Sequence, residues 1–213
     1  MKDNAELFQI LMNRISDLDY IHSDDIPNID LYMDQVTTFM EQHLAHSKRY
    51  PDDKVLTKTM INNYAKNDLL PPPVKKKYSR EHMLVLIFIY YYKNLLSIGD
   101  IQTLLKPLTE RYFQADSGLD LTAIYEELFS KERAQLNALQ EDARKTWDIA
   151  AATFQEADDE DRELLQRFTF ISLLGFDIYL KKQMIEFLID EMACARPAGK
   201  HKKPPKKNGR ETE

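Results

Sequence analysis

Apolar positions recur at helical spacing through most of this chain. Leu7, Ile10, Leu11, Ile15 and Leu18 share one face of a helix predicted over 3–18. Residues 19–28 break the pattern with Ser23, Asp24, Asp25 and Pro27. Asp30 is a predicted N-cap for a second helix reaching His46, with Met33, Val36, Thr37, Met40 and Leu44 as its stripe and Phe39 beside it. A polar loop, HSKRYPDDK, follows over 46–54.

Punctuation then becomes dense. Thr57 caps a short helix over 58–67, which Asn67 and Asp68 end, and Leu69-Leu70 return to the core as anchors. Pro71, Pro72 and Pro73 forbid helix and impose an extended path, and VKKKY completes an excursion of about eight residues. Ser79 caps a helix to Leu96 whose sequence is apolar nearly all round, so it must be buried on several sides. Ser97 caps another short helix over 98–105, with Asp100 in its first turn and Pro107 as its stop. Asp120 begins a long amphipathic helix on which Ile124, Leu128, Leu136, Leu139, Trp147, Ala150 and Phe154 repeat. A last helix runs over 158–193, where Gly175 marks a close helix contact or a kink. The predicted fold class is all-α.

Composition narrows the field. Leu, Lys, Glu, Asp, Gln, Ala and Met dominate, and 43% of 213 residues are hydrophobic, enough for a real core. Cys194 is the one cysteine, which excludes an internal disulfide and a multi-thiolate metal site and suits a reducing compartment. The N-terminal segment lacks the long apolar region of a secretory signal, and 168–180 is too short to span a bilayer. A soluble cytoplasmic protein is expected. The net charge of −6 is unevenly laid out: −7 over 1–47, +6 over 48–107, −10 over 108–194 and +5 over 195–213. A basic block between acidic ones is the electrostatic footprint of a local anion-binding surface.

Catalytic chemistry finds no foothold. His22, His43, His46, His82 and His201 lack spacing to an acid or nucleophile, and the His43/His46 pair lacks a third metal ligand. Asp158, Asp159 and Asp161 are explained by an acidic helix start, and no phosphate-binding glycine loop occurs. No enzyme, metal or cofactor is expected.

The order helix, helix, Leu69-Leu70-Pro71-Pro72-Pro73, basic turn, Tyr78, Ser79-capped helix and Ser97-capped helix resembles the winged helix-turn-helix of MerR-type regulators. The matching residues are Thr59, Ile61, Tyr64, Leu69, Leu70, Pro71, Pro72, Tyr78, Ser79 and the run Leu96-Ser97-Ile98, with Asp68 where those proteins usually have Gly. More specifically, residues 26–105 resemble a bacterial family known as domain of unknown function 1836, through IPNIDLYMDQV, LTKTMINNYAKNDLLPPPVKKKYSREH and LSIGDIQ. The resemblance implies a MerR-like winged helix-turn-helix domain over 26–107; periodicity and composition add an N-terminal helix (1–25), a helical dimerisation or effector bundle of long antiparallel helices (108–194) and a disordered basic tail (195–213).

The expected function is transcriptional regulation by binding double-stranded DNA, with recognition helix 57–67 and a basic wing over 71–78. Lys58, Thr59, Asn62, Asn63 and Lys66 lie on the polar side of that helix, with Ile61, Tyr64 and Ala65 facing inward. Asn bonds both N6 and N7 of adenine, which is direct major-groove readout. Lys75, Lys76 and Lys77 tip a proline-stiffened loop, and three phosphate contacts there give a salt slope of about −2.7. Tyr78 and Arg80 are expected at the DNA backbone. A homodimer is expected, since such motifs engage two-fold sites. An unidentified small-molecule effector is left open. The alternative is a protein–protein adaptor that keeps the winged fold without DNA readout. The long loop before Thr57, Asn62 and Asn63 where MerR-type proteins carry Arg, and the overall acidity favour it.

Overall fold

The computed structural model describes residues 3–16, 20–115 and 118–195. Its helices are α1 (Asn4–Ser16), α2 (Met33–Leu44), α3 (Lys58–Lys66), α4 (Arg80–Tyr92), α5 (Ile98–Tyr112), α6 (Leu121–Ala151) and α7 (Asp159–Cys194). The described residues form a single sheet of two short strands, β1 (Leu31–Tyr32) and β2 (Lys77–Tyr78), antiparallel with Leu31 opposite Tyr78. The all-α class therefore holds. The basic tail from Arg196 onward, and Leu18 of the first helix, lie outside the described residues.

The start signals act through hydrogen bonds. Thr57 Oγ1 accepts from the Met60 N–H at 3.2 Å, Ser97 Oγ from Asp100 at 3.2 Å and Asp120 Oδ1 from Ala123 at 2.8 Å. Each satisfies a donor the helix itself leaves orphaned, worth about 1 kcal/mol. Helix α2 differs. Asp30 is not its cap; residues 31–32 pair with β2, and Tyr32 becomes the N-cap residue, its N–H donating to Gln35 Oε1 at 2.9 Å.

Helix α4 forms the centre. Met83 through Ile89 are all buried, as the all-round apolar sequence predicts. Around it pack Val36, Met40 and Leu44 of α2, Ile61 and Tyr64 of α3, and Leu69 and Leu70. The same core takes in Ile21 and Ile26 before α2, Ile101 and Leu105 of α5, and Leu121, Tyr125 and Phe129 of α6. The Tyr125 hydroxyl, fully buried, donates to the Ile21 carbonyl at 2.5 Å.

Four helix readings need correction. Pro107 does not stop α5, which continues to Tyr112 with the proline inside it. An interior proline costs about 3 kcal/mol, and α5 offsets this by packing Leu104, Leu108 and Tyr112 into the core that also takes Ile185 and Ile189 of α7. Gly175 makes no close contact: a Cβ placed there meets nothing within 4 Å, and α7 runs through it without a break in its helical assignment. On α6 the buried residues among those described are Leu121, Tyr125, Phe129, Ala143 and Ala150, whereas Leu128 and Leu139 are exposed and Phe154 lies past the helix end in a left-handed turn (φ 55°). Likewise Met12 is the buried apolar residue of α1 and Ile10 is exposed.

The far end is held by α1. Phe8 stacks on Trp147 (4.8 Å between centroids), and both meet Phe170 edge-on, at 6.0 and 5.2 Å. Buried Asn4 donates to the Glu163 carbonyl at 2.9 Å, while its Oδ1 accepts from Arg167 Nε and Nη2 at 3.1 and 2.9 Å. One α1 side chain thus ties into α7 through three polar contacts. No helix among the described residues is long and apolar enough to cross a membrane.

Candidate nucleic-acid interface

Helix α3 is short, so its placement depends on what it buries. Ile61 is fully buried and Tyr64 is 7% exposed, worth roughly 1.5–3 kcal/mol for each side chain removed from water. Those two inward residues turn Lys58, Thr59, Asn62, Asn63 and Lys66 outward, and all five are exposed. At the C-terminal end, the Leu69 and Leu70 amides both donate to the Tyr64 carbonyl, at 2.9 and 3.2 Å. Asp68 is the left-handed residue that makes this return (φ 54°), the role glycine usually fills. Gln102 of α5 donates to the Asn67 carbonyl at 3.0 Å and braces the same corner.

The lysine run forms a tight hairpin. The Val74 N–H donates to the Lys77 carbonyl at 3.1 Å, and the Lys77 N–H to the Val74 carbonyl at 2.9 Å. Lys75 and Lys76 between them have φ of 50° and 64°. Two central residues with positive φ define a type I′ turn, which matches the strand twist but favours Asn and Gly. Here it is built from two lysines, exposed at the tip.

Three of the expected contact residues are placed elsewhere. Lys77 is only half exposed, and its Nζ lies 5.2 Å from the centre of the Tyr32 ring, a cation–π contact from β2 to β1. Tyr78 is 4% exposed and packs in the core, where burial pushes its phenol pKa up; little of it is left for a phosphate. Arg80 turns inward, and its Nη2 donates to the Ser23 carbonyl at 2.8 Å. Lys58, though exposed, forms an ion pair with Asp34 of α2. Of the expected cations, Lys66, Lys75 and Lys76 are exposed as Lys58 is, but outside its ion pair with Asp34.

Behind the hairpin sits a group the sequence did not single out for a role. His82 is 1% exposed. Its Nδ1 accepts from the Ser79 N–H at 3.0 Å, which caps α4 and assigns the proton to Nε2. The ring meets Tyr78 and Phe113 edge-on at 5.5 and 4.8 Å. Nε2 is enclosed without a well-aligned partner. Burial lowers the pKa and outweighs the Pro72 and Pro71 carbonyls and the charges of Glu81 and Asp30, which act the other way. His82 thus closes the N-terminal cap of α4 from within the core. The sequence signal was its position three residues after the capping Ser79.

No cluster of three or more His, Cys, Asp or Glu side chains suited to a metal occurs among the described residues. Where the C-terminal end of α2 faces α4, α6 and α7, a cavity of about 600 Å³ is lined by Leu44, His46, Tyr91, Leu139 and Asp142 among others.

No curated protein and no solved structure matches the chain. A family profile does match, over residues 21–128. This span is wider than the 26–105 of the sequence resemblance, and it contains Ile21 and Tyr125, whose buried hydrogen bond closes the core around α4. With just over half of its length matched, core and basic hairpin included, the chain belongs to the family described as domain of unknown function DUF1836.

Proposed function

We propose that this protein is a DNA-binding transcriptional regulator whose residues 57–78 act as a MerR-like recognition helix and wing. One observation carries the reading: α3 buries only Ile61 and Tyr64 and leaves Thr59, Asn62, Asn63 and Lys66 exposed in a row, followed by the exposed Lys75–Lys76 tip. Asn62 and Asn63 present adenine-reading amides, and the two lysines present charge for flanking phosphates. A strained turn built from lysines rather than Asn-Gly has a reason when those cations are needed at the tip. With Lys77 engaged by Tyr32, the tip supplies a salt slope of about −1.8 rather than −2.7. The acidic surface of α6 and α7 repels a polyanion and leaves this side as the docking surface. The cavity between α2, α4, α6 and α7 is the natural place for a small-molecule effector, since it touches both α2 and the long helices.

The adaptor reading has its own support. Lys58 is neutralised by Asp34, and Arg80 and Lys77 are turned to protein partners, so the surface is less cationic than the sequence count. Selection from random duplexes followed by fluorescence anisotropy across a salt series separates the two. The regulator reading expects an enriched sequence and loss of binding in the Lys75→Glu/Lys76→Glu variant. An adaptor shows no duplex binding even at low salt.

A further inference from the structure

The folded surface around α3 offers few cations for a duplex. Of the expected contact residues, Lys77 lies over Tyr32, Arg80 bonds the Ser23 carbonyl and Lys58 pairs with Asp34. The Lys75–Lys76 tip gives a salt slope of about −1.8, whereas six to ten phosphate contacts on duplex DNA give about −5 to −9.

A second store of positive charge lies beyond α7. Residues 196–213 (RPAGKHKKPPKKNGRETE) carry seven Lys and Arg against two Glu, and contain no Leu, Ile, Val, Met, Phe, Tyr or Trp. With no large apolar side chain to bury, what this stretch offers a partner is charge. Lys202-Lys203 and Lys206-Lys207 stand on either side of Pro204-Pro205, a spacer with little backbone freedom to lose on binding. Arg210 is offset by Glu211 and Glu213, which leaves Lys200 and the two pairs as the cationic run.

The fold decides where that run is tethered. Helix α7 begins beside α1, where Arg167 bonds Asn4 and Phe170 meets Phe8 and Trp147. It ends at the opposite extremity, where Ile185 and Ile189 share the core with Leu104, Leu108 and Tyr112 of α5. Helix α5 in turn braces the end of α3, through Gln102 and the Asn67 carbonyl. Two interhelical spacings of 8–10 Å, roughly 20 Å, therefore separate the end of α7 from α3. The 18 residues from Arg196 to Glu213 can span up to about 60 Å. A duplex seated on α3 and the Lys75–Lys76 tip lies within their reach.

Charge density selects the partner. Duplex DNA carries one negative charge per about 1.7 Å of its axis. Helix α7 carries eight acidic and four basic side chains over 36 residues, a net of −4, or one charge per about 13 Å at 1.5 Å per residue. The protein's own acidic helix is thus the weaker competitor for the lysines. An anionic membrane is disfavoured by that acidic helix immediately before the run, and by the lack of an apolar side chain to insert.

We infer that Lys200, Lys202, Lys203, Lys206 and Lys207 form a phosphate-binding arm that holds the same duplex as α3 and the Lys75–Lys76 tip, without reading its sequence. This rests on the reading of the protein as a duplex DNA binder and enlarges the contact surface of that reading.

Fluorescence anisotropy of the full chain across a salt series tests it, with one labelled duplex enriched by selection and one of scrambled sequence. Five arm contacts are expected to add about −4.5 to the slope, giving roughly −6.3 with the tip. Replacing the five lysines by Gln is expected to return the slope to about −1.8, so over a fourfold rise in salt the wild type loses about 500-fold more affinity than the variant. Replacing them by Arg is expected to keep the wild-type slope. The ratio of affinities for the two duplexes is expected to be the same in all three proteins, because phosphate contacts carry no sequence information. In a Cys194→Ala background, a photocross-linker on Asn208→Cys is expected to attach to DNA. A slope indifferent to the Gln replacements, cross-linking only within the protein, or lysine-dependent capture by phosphatidylserine vesicles with duplex binding unaffected by the Gln replacements overturns the arm and leaves the α3 reading standing. Equal affinity for both duplexes, with the slope still set by the five lysines, overturns the α3 reading and leaves the arm. A wild type that binds neither duplex at low salt overturns both.

Discussion

At the scale of single residues, backbone conformation and function pull in different directions. Asp68, Lys75 and Lys76 all occupy left-handed φ without being glycine, at a cost of order 1 kcal/mol each. For Asp68 the cost has no visible return, since the position only reverses the chain after α3. Asp68→Gly is therefore expected to stabilise the protein by about 1 kcal/mol in urea unfolding and to leave any DNA affinity unchanged. Lys76→Gly is expected to separate two properties. The type I′ turn relaxes and stability rises by up to about 1 kcal/mol. One tip cation is lost, so the salt slope of duplex binding becomes shallower by about 0.9. Unchanged DNA binding in that variant would remove Lys76 from the interface. The outward row on α3 was legible from its spacing alone, because Ile61 and Tyr64 fix the helix phase. The fates of Lys77 and Arg80 were not. Their partners, Tyr32 and Ser23, lie 45 and 57 positions earlier in the chain, and local pattern carries no information about such contacts.

At the scale of elements, packing decides where local rules compete. Pro107 is a helix breaker by propensity, yet α5 passes through it because Leu104, Leu108 and Tyr112 are needed against the core. The stripe of α6 was misread for a related reason. Leu128 and Tyr125 are both apolar enough to define a face, and contacts distant in the chain select between them: the Ile21 carbonyl accepts from the Tyr125 hydroxyl and Phe88 packs against its ring. Capping signals at Thr57, Ser97 and Asp120 survived because each acts within three residues of itself. The cap of α4 adds a pH dependence. His82 is neutral in its buried site and its pKa is lowered there, so the unfolded chain binds the extra proton more readily. Stability from this group is then complete above the unfolded pKa of about 6.5 and declines as the pH falls from there toward the lowered folded value, levelling off below it. Chemical denaturation across that interval is expected to show the decline. His82→Gln, which keeps an acceptor for the Ser79 N–H without titrating, is expected to flatten it.

At the scale of the whole molecule, α6 joins two assemblies. Its first third, Leu121 to Phe129, is part of the core around α4, within or beside the family-matched span. Its last third holds Trp147 against α1 and α7. A continuous helix of 31 residues measures about 46 Å, and it reaches from one assembly to the other.

The ring cluster of Phe8, Trp147 and Phe170 also gives the protein its own optical gauge. Trp147 is the sole tryptophan, so intrinsic emission comes from one place, where α1 rests on the long helices. Phe8→Ala is expected to red-shift that emission as water reaches the indole, and an unshifted spectrum would mean α1 is undocked in solution. In the wild type, the same wavelength read during titration with duplex or small molecule reports, label-free, whether an event near α3 is felt at the opposite extremity of α6.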